Sequence, residues 1–81
     1  MRWQHSRRSL EAYQRAPLAV QKAFDKQVRL LALDLHHPSL HAKKYDHARD
    51  IWQGRVNRDW RFYFTIIGDI YRIEDIIPHP K

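Results

Sequence analysis

The run Trp52-Gln53-Gly54-Arg55-Val56-Asn57-Arg58-Asp59-Trp60-Arg61-Phe62-Tyr63-Phe64-Thr65-Ile66-Ile67-Gly68-Asp69-Ile70-Tyr71-Arg72-Ile73 decides the fold. It is dense in aromatic and β-branched residues, the types that suit a pleated surface. Two turn signals divide the stretch from Ile51 to Lys81 into three runs. Gly68-Asp69 is a two-residue loop with glycine in its first central position, as a type II′ hairpin requires. Asn57-Arg58-Asp59 reads as a three-residue loop. The prediction is a three-stranded antiparallel meander.

The loops also set the registers. The first places Trp52 opposite Phe64, Gln53 opposite Tyr63, Gly54 opposite Phe62 and Arg55 opposite Arg61. The second places Ile67 opposite Ile70 and Phe64 opposite Ile73. Continuing it unbroken pairs Tyr63 with Glu74, Phe62 with Asp75, Arg61 with Ile76 and Trp60 with Ile77. Side chains alternate between faces, so each register fixes two faces. One collects Trp52, Val56, Trp60, Phe62, Phe64, Ile66, Tyr71, Ile73 and Ile77: a core face, with Asp75 its one misfit. Gly54 shares that face and leaves room for Phe62 or a helix residue to settle closely. The other face collects Gln53, Arg55, Arg61, Tyr63, Thr65, Arg72 and Glu74.

Like charges directly opposite each other destabilise a sheet. The Arg55–Arg61 pair therefore makes sense if an anion lies across it. Alternatively, the two splay apart or pair with Glu74.

Upstream, Met1 to His5 reads as a short edge strand with Trp3 inward. Ser6 caps a helix running through Ala16, with Leu10 and Tyr13 at helical spacing. Pro17 suits the first helical position of a second helix. That helix runs to Leu35, and Val20, Phe24, Val28, Leu31 and Leu35 form one stripe. The stripe is the expected cover for the apolar sheet face. Pro38 stops the helix, and His41 to Asp50 reads as a polar loop returning to the sheet. His36, His37, His41 and His47 lack cysteine partners and regular ligand spacing, so they read as solvated or capping residues rather than a metal site.

The 81 residues allow one domain, spanning 1–81. With no cysteine, the core rests on packing alone. Lys and Arg number 15 against 9 acids, a net charge of +6 that points to a polyanionic partner, most simply nucleic acid. No apolar run is long enough to span a membrane and no leader is present, so a soluble, cytoplasmic protein is expected.

These residues carry a resemblance. His37-Pro38-Ser39-Leu40 with Lys43-Lys44, Trp52-Gln53-Gly54-Arg55-Val56-Asn57, Trp60-Arg61-Phe62-Tyr63-Phe64, Gly68-Asp69-Ile70-Tyr71 and Ile76-Ile77-Pro78-His79-Pro80-Lys81 follow in order. Together they resemble the RelE/ParE superfamily of toxins from type II toxin–antitoxin systems. The resemblance implies an α+β, RelE-like fold: two N-terminal helices on a small antiparallel sheet. It implies a metal-independent endoribonuclease that cleaves messenger RNA on the ribosome, needs no cofactor, and is held inactive by a cognate antitoxin. It also admits a ParE-like toxin that targets gyrase, or a module that only binds its antitoxin. Arg61 and Arg55 fall on basic positions of the RelE-like pattern, and His79 on a C-terminal catalytic position. Gln53 departs from it, standing where some members carry lysine, and the sequence ends at Lys81 without the longer tail of others.

RNA cleavage by the 2′-hydroxyl needs a base, an acid and cations at the phosphorane. Arg55 and Arg61 suit the cationic role. His79 is the expected acid or base, or else an ordered histidine between two prolines. Tyr63 either stacks on a base or contacts phosphate, or is only a cross-strand partner of Gln53 and Glu74. Glu74 is either a base or an anchor for Arg61 or Arg72. Lys43, Lys44, Gln53, Arg72 and Lys81 complete the expected RNA contacts.

Overall fold

The computed structural model describes residues 1–80. Lys81, an expected RNA contact, lies outside the described residues. The chain forms β1 (Arg2–His5), α1 (Arg7–Arg15), α2 (Leu18–Leu33), a 3-10 turn (Pro38–Leu40), β2 (Lys43–Asp46), β3 (Ile51–Arg55), β4 (Trp60–Ile67) and β5 (Ile70–Pro78). The strands make one sheet in the order β1-β5-β4-β3-β2. Among the described residues only the β1–β5 pair is parallel.

Ser6 Oγ accepts from Ser9 N at 3.1 Å and caps α1 as expected. Ala16, preceding a proline, is extended and ends that helix. Pro17 is not the first helical residue but the N-cap, one position before Leu18, because its own ψ of 150° is extended. The helix stops at Leu33 rather than Leu35. Asp34 turns extended there, and its Oδ1 accepts from His36 N at 2.9 Å, a local bond that competes with another helical turn. Leu10 is exposed, and α1 buries Ser9 instead.

The α2 stripe forms the core as expected: Val20, Phe24, Val28 and Leu31 are buried against Phe62, Phe64, Tyr71 and Ile73. Phe24 meets Phe62 edge-on, with ring centroids 5.6 Å apart. The edge strand β1 brings Trp3 onto Phe24 at 5.9 Å. His5 stacks on the same ring at 5.6 Å, with its Nδ1 2.7 Å from Ser9 Oγ. Burial lowers the His5 imidazole below its ordinary pKa, against a weaker upward pull from Asp25.

The β3–β4 register matches expectation at all four pairs, Trp52–Phe64 through Arg55–Arg61. The absence of a side chain at Gly54 is used: a Cβ there would lie 2.6 Å from Phe62 Cε1. Gly68 has the positive φ of 60° that its turn requires.

Two expectations are corrected. The β4–β5 ladder follows the predicted register from Ile67–Ile70 to Phe64–Ile73, then shifts at a bulge that leaves Glu74 without a partner. Beyond it Tyr63 faces Asp75, Phe62 faces Ile76, Arg61 faces Ile77 and Trp60 faces Pro78. The extra residue turns Asp75 out of the core and Ile76 into it, at 3% exposure, while Ile77 becomes exposed. An unbroken ladder would have buried a carboxylate without a partner, which is the physical reason for the bulge. The segment after His41 is not all loop: Lys43–Asp46 is an edge strand paired with β3, adding a fifth strand to the sheet.

Candidate nucleic-acid interface

The helices cover one face of the sheet and leave the Arg55–Arg61 face open. These two residues are directly paired across β3 and β4. Their side chains bend toward the connecting loop. Arg61 Nη1 donates to the carbonyl oxygens of Asn57, Trp60 and Arg58 at 2.7, 2.9 and 3.3 Å. Arg55 Nε donates to the Asn57 carbonyl at 3.4 Å. Neither forms an ion pair with a carboxylate among the described residues. Loop carbonyls thus fix both guanidinium groups without neutralising them.

Around them is a cleft of about 450 Å³ lined by His41, Lys43, Gln53, Arg55, Arg61 and His79. No carboxylate is among its lining residues, so its field is that of three cationic side chains. His79 is held beside the loop by its backbone N–H, which donates to Asp59 O at 2.7 Å. Lys43 reaches this face because it pairs with Gln53 across the β2–β3 ladder.

His41 joins the cleft although its sequence context suggests only a solvated residue. It follows the 3-10 turn in the left-handed conformation, φ 46°, which re-aims the chain into β2. Gln27, buried on α2, secures this corner. Its Nε2 donates to Ser39 O at 3.0 Å and Arg55 O at 2.8 Å, and its Oε1 accepts from Ser39 Oγ at 3.1 Å. One side chain thereby ties the turn before His41 to the end of β3. His37 is a capping residue, its Nδ1 accepting from Ser39 N.

Other expected site residues fall elsewhere. Tyr63 is nearly buried, and its hydroxyl accepts from Gln53 Nε2 at 3.0 Å. It lines a second cleft beyond Gln53 rather than the cleft of the arginines. Arg72 also lines that second cleft and pairs with Glu74 at 3.3 Å, so Glu74 anchors Arg72 and not Arg61. Lys44 is the clearest correction. It pairs with Trp52, so it points to the helix side of the sheet, over the Trp52 ring at 5.2 Å. There it bonds Asp50 at 2.8 Å, which lowers the Asp50 pKa.

No family model and no curated protein sequence matches the chain. Solved structures do. A YoeB/ParE toxin from Agrobacterium tumefaciens superposes with a TM-score of 0.81 at 14% identity, over 99% of this chain and 100% of that one. The chain has the fold of the RelE/YoeB toxins. The archaeal RelE–RelB complex from Pyrococcus horikoshii OT3 gives 0.77 at 17% identity, covering 95% of this chain and 92% of that one. The intact Escherichia coli RelBE toxin–antitoxin complex gives 0.74 at 8% identity, covering 99% and 98%. The likeness to the RelE/YoeB toxins is one of architecture, and it includes the helices, the meander and both edge strands.

Proposed function

We propose that the chain is the toxin of a type II toxin–antitoxin pair and that it cleaves messenger RNA in the cleft of Arg55 and Arg61. The observation that carries this reading is the cleft itself: two fixed guanidinium groups without a carboxylate partner among the described residues, one lysine and two imidazoles on an open sheet face. Such a site attracts a phosphodiester and has groups for both proton transfers.

In the proposed reaction the 2′-oxygen bonds to phosphorus as its proton passes to one imidazole. Arg55 and Arg61 hold the charge of the phosphorane through their outward N–H groups. The bond to the 5′-oxygen then breaks as the second imidazole donates a proton. The products are a 2′,3′-cyclic phosphate and a 5′-hydroxyl. His79 and His41 fill the two imidazole roles. Gln53, hydrogen-bonded to Tyr63, orients the strand rather than moving protons. The chemistry is complete without a metal.

Several similar structures are toxin–antitoxin complexes, which supports an antitoxin as this chain's partner; action on the ribosome and a cytoplasmic location belong to the same proposal. Induced expression followed by primer extension on translated messages tests the reading. Cuts that vanish with Arg61→Ala, and growth arrest relieved by the adjacent small gene, are expected. A second reading, a non-enzymatic toxin, draws on the engagement of Tyr63 by Gln53. DNA breaks linked to gyrase, with intact messages, would establish it instead.

A further inference from the structure

A third cleft opens where α2 meets the end of β3. It measures about 310 Å³, and its lining includes Lys26, Gln27, Ser39, His41, Arg55 and Asn57. His41 and Arg55 also line the cleft of the two arginines, so the two spaces share a wall. Among the described residues, no carboxylate and no Phe, Tyr or Trp ring borders the third cleft. Its chemistry is that of an anion site, not of a surface for stacking a base.

We infer that this cleft seats the backbone phosphate adjoining the cleaved one, with Lys26 as its cation. The inference rests on the RNA-cleaving reading above. It gives the bound strand a course: from the arginines around the β3–β4 end of the sheet toward α2.

Lys26 is exposed and pairs with no carboxylate among the described residues. Its sequence neighbour sets its place. Gln27 is buried, and its Nε2 donates to Arg55 O at 2.8 Å and Ser39 O at 3.0 Å. Those bonds fix the backbone of Lys26 against the strand that carries Arg55. Only the methylene stem stays free. A flexible point charge suits a backbone phosphate, which asks for charge and not for shape. Lys22 lies one turn earlier on α2, is also exposed and lines neither this cleft nor the other two. An acidic protein segment would meet the same charge at Lys26. Arg55 and His41 belong to both clefts, however, so the occupant of one continues into the other, and RNA is favoured.

Calorimetric titration of the purified chain with 2′-O-methyl UpU and UpUpU tests this, the methyl groups blocking cleavage. UpU offers only the phosphate of the reacting position, and UpUpU adds an adjoining one. At low salt UpUpU should bind about tenfold tighter, the effect of one hydrogen bond between charged groups. Its log affinity should also fall with log salt more steeply, by about 0.7. Lys26→Gln should bring UpUpU to the affinity of UpU and leave UpU unchanged, whereas Lys22→Gln should change neither. On a longer, cleavable RNA, Lys26→Gln should raise KM and keep the parent's kcat, because the reacting phosphate stays with Arg55 and Arg61. An UpUpU advantage that survives Lys26→Gln, or that the parent lacks, overturns the adjoining site. Arg61-dependent binding of UpU would still leave the RNA reading standing in that case. UpU that binds the parent no better than Arg61→Ala overturns both.

Discussion

Arg55 and Arg61, paired across two strands, both donate to a single acceptor, the carbonyl oxygen of Asn57. A peptide carbonyl carries only a partial charge, so it orders two guanidinium groups while leaving their positive charge available. Replacing either with alanine removes loop hydrogen bonds but no packed apolar surface. Arg61→Ala should therefore cost about 1 kcal/mol of stability, reduced by relief of the like-charge pairing. The same change should slow RNA cleavage by about a hundred- to a thousandfold. Thermal melts beside a cleavage assay check both, and parent-like cleavage would remove Arg61 from the site.

Lys43 and Lys44 are sequence neighbours on opposite faces of β2. If RNA lies over the arginines, Lys43→Ala should make the dependence of log affinity on log salt shallower by about 0.7, the value of one phosphate contact to a single strand. Lys44→Ala should leave that slope unchanged, since its ammonium is held by Asp50 on the helix side. Equal effects from the two would contradict the faces assigned to β2.

Gly54→Ala should destabilise the protein by about 1–3 kcal/mol, the range for overpacking a filled core. The added carbon meets the fully buried Phe62 ring, which has little room to retreat. Gly68→Ala meets no atom but keeps a positive φ, so its cost should be about 1 kcal/mol. Denaturant titrations of the two variants should rank them in that order.

His5 gives a pH dependence of definite sign. Its folded pKa lies below the unfolded value of about 6.5. Above that unfolded value the ring is neutral in both states and the fold has its full stability. As pH falls through it toward the folded value, the unfolded chain takes the proton first and stability is lost. His5→Phe keeps a ring on Phe24 and removes the titration. Melting temperatures at pH 7.5 and 5.5 should fall further in the parent than in the variant.

The first hairpin was legible because its loop and two aromatic runs leave one register that separates apolar from polar residues. The bulge was not, since either Glu74 or Asp75 could be the extra residue; the sign of it was Asp75 falling on the core face. β2 escaped because an edge strand open to solvent carries lysine and aspartate, which read as loop. His41 escaped because a left-handed residue brings it into the cleft, and backbone handedness at a histidine leaves no pattern in the sequence. Gln53, Arg55 and Arg61 were grouped by the register that sets them on one face, whereas Lys43 was singled out by its charge in an expected loop and His79 by the family resemblance; the structure lines one cleft with all five.

The parallel pairing of β1 with β5 joins the first strand made to the last. During synthesis the two helices emerge long before β5, the strand that lies between β1 and β4. Non-local pairing of this kind is slow, because the chain must be closed before any contact rewards the closure. The cleft waits for the same event, as His79 follows β5 and reaches back to Asp59. A nascent chain therefore lacks the assembled site until β5 and His79 have left the ribosome that makes it.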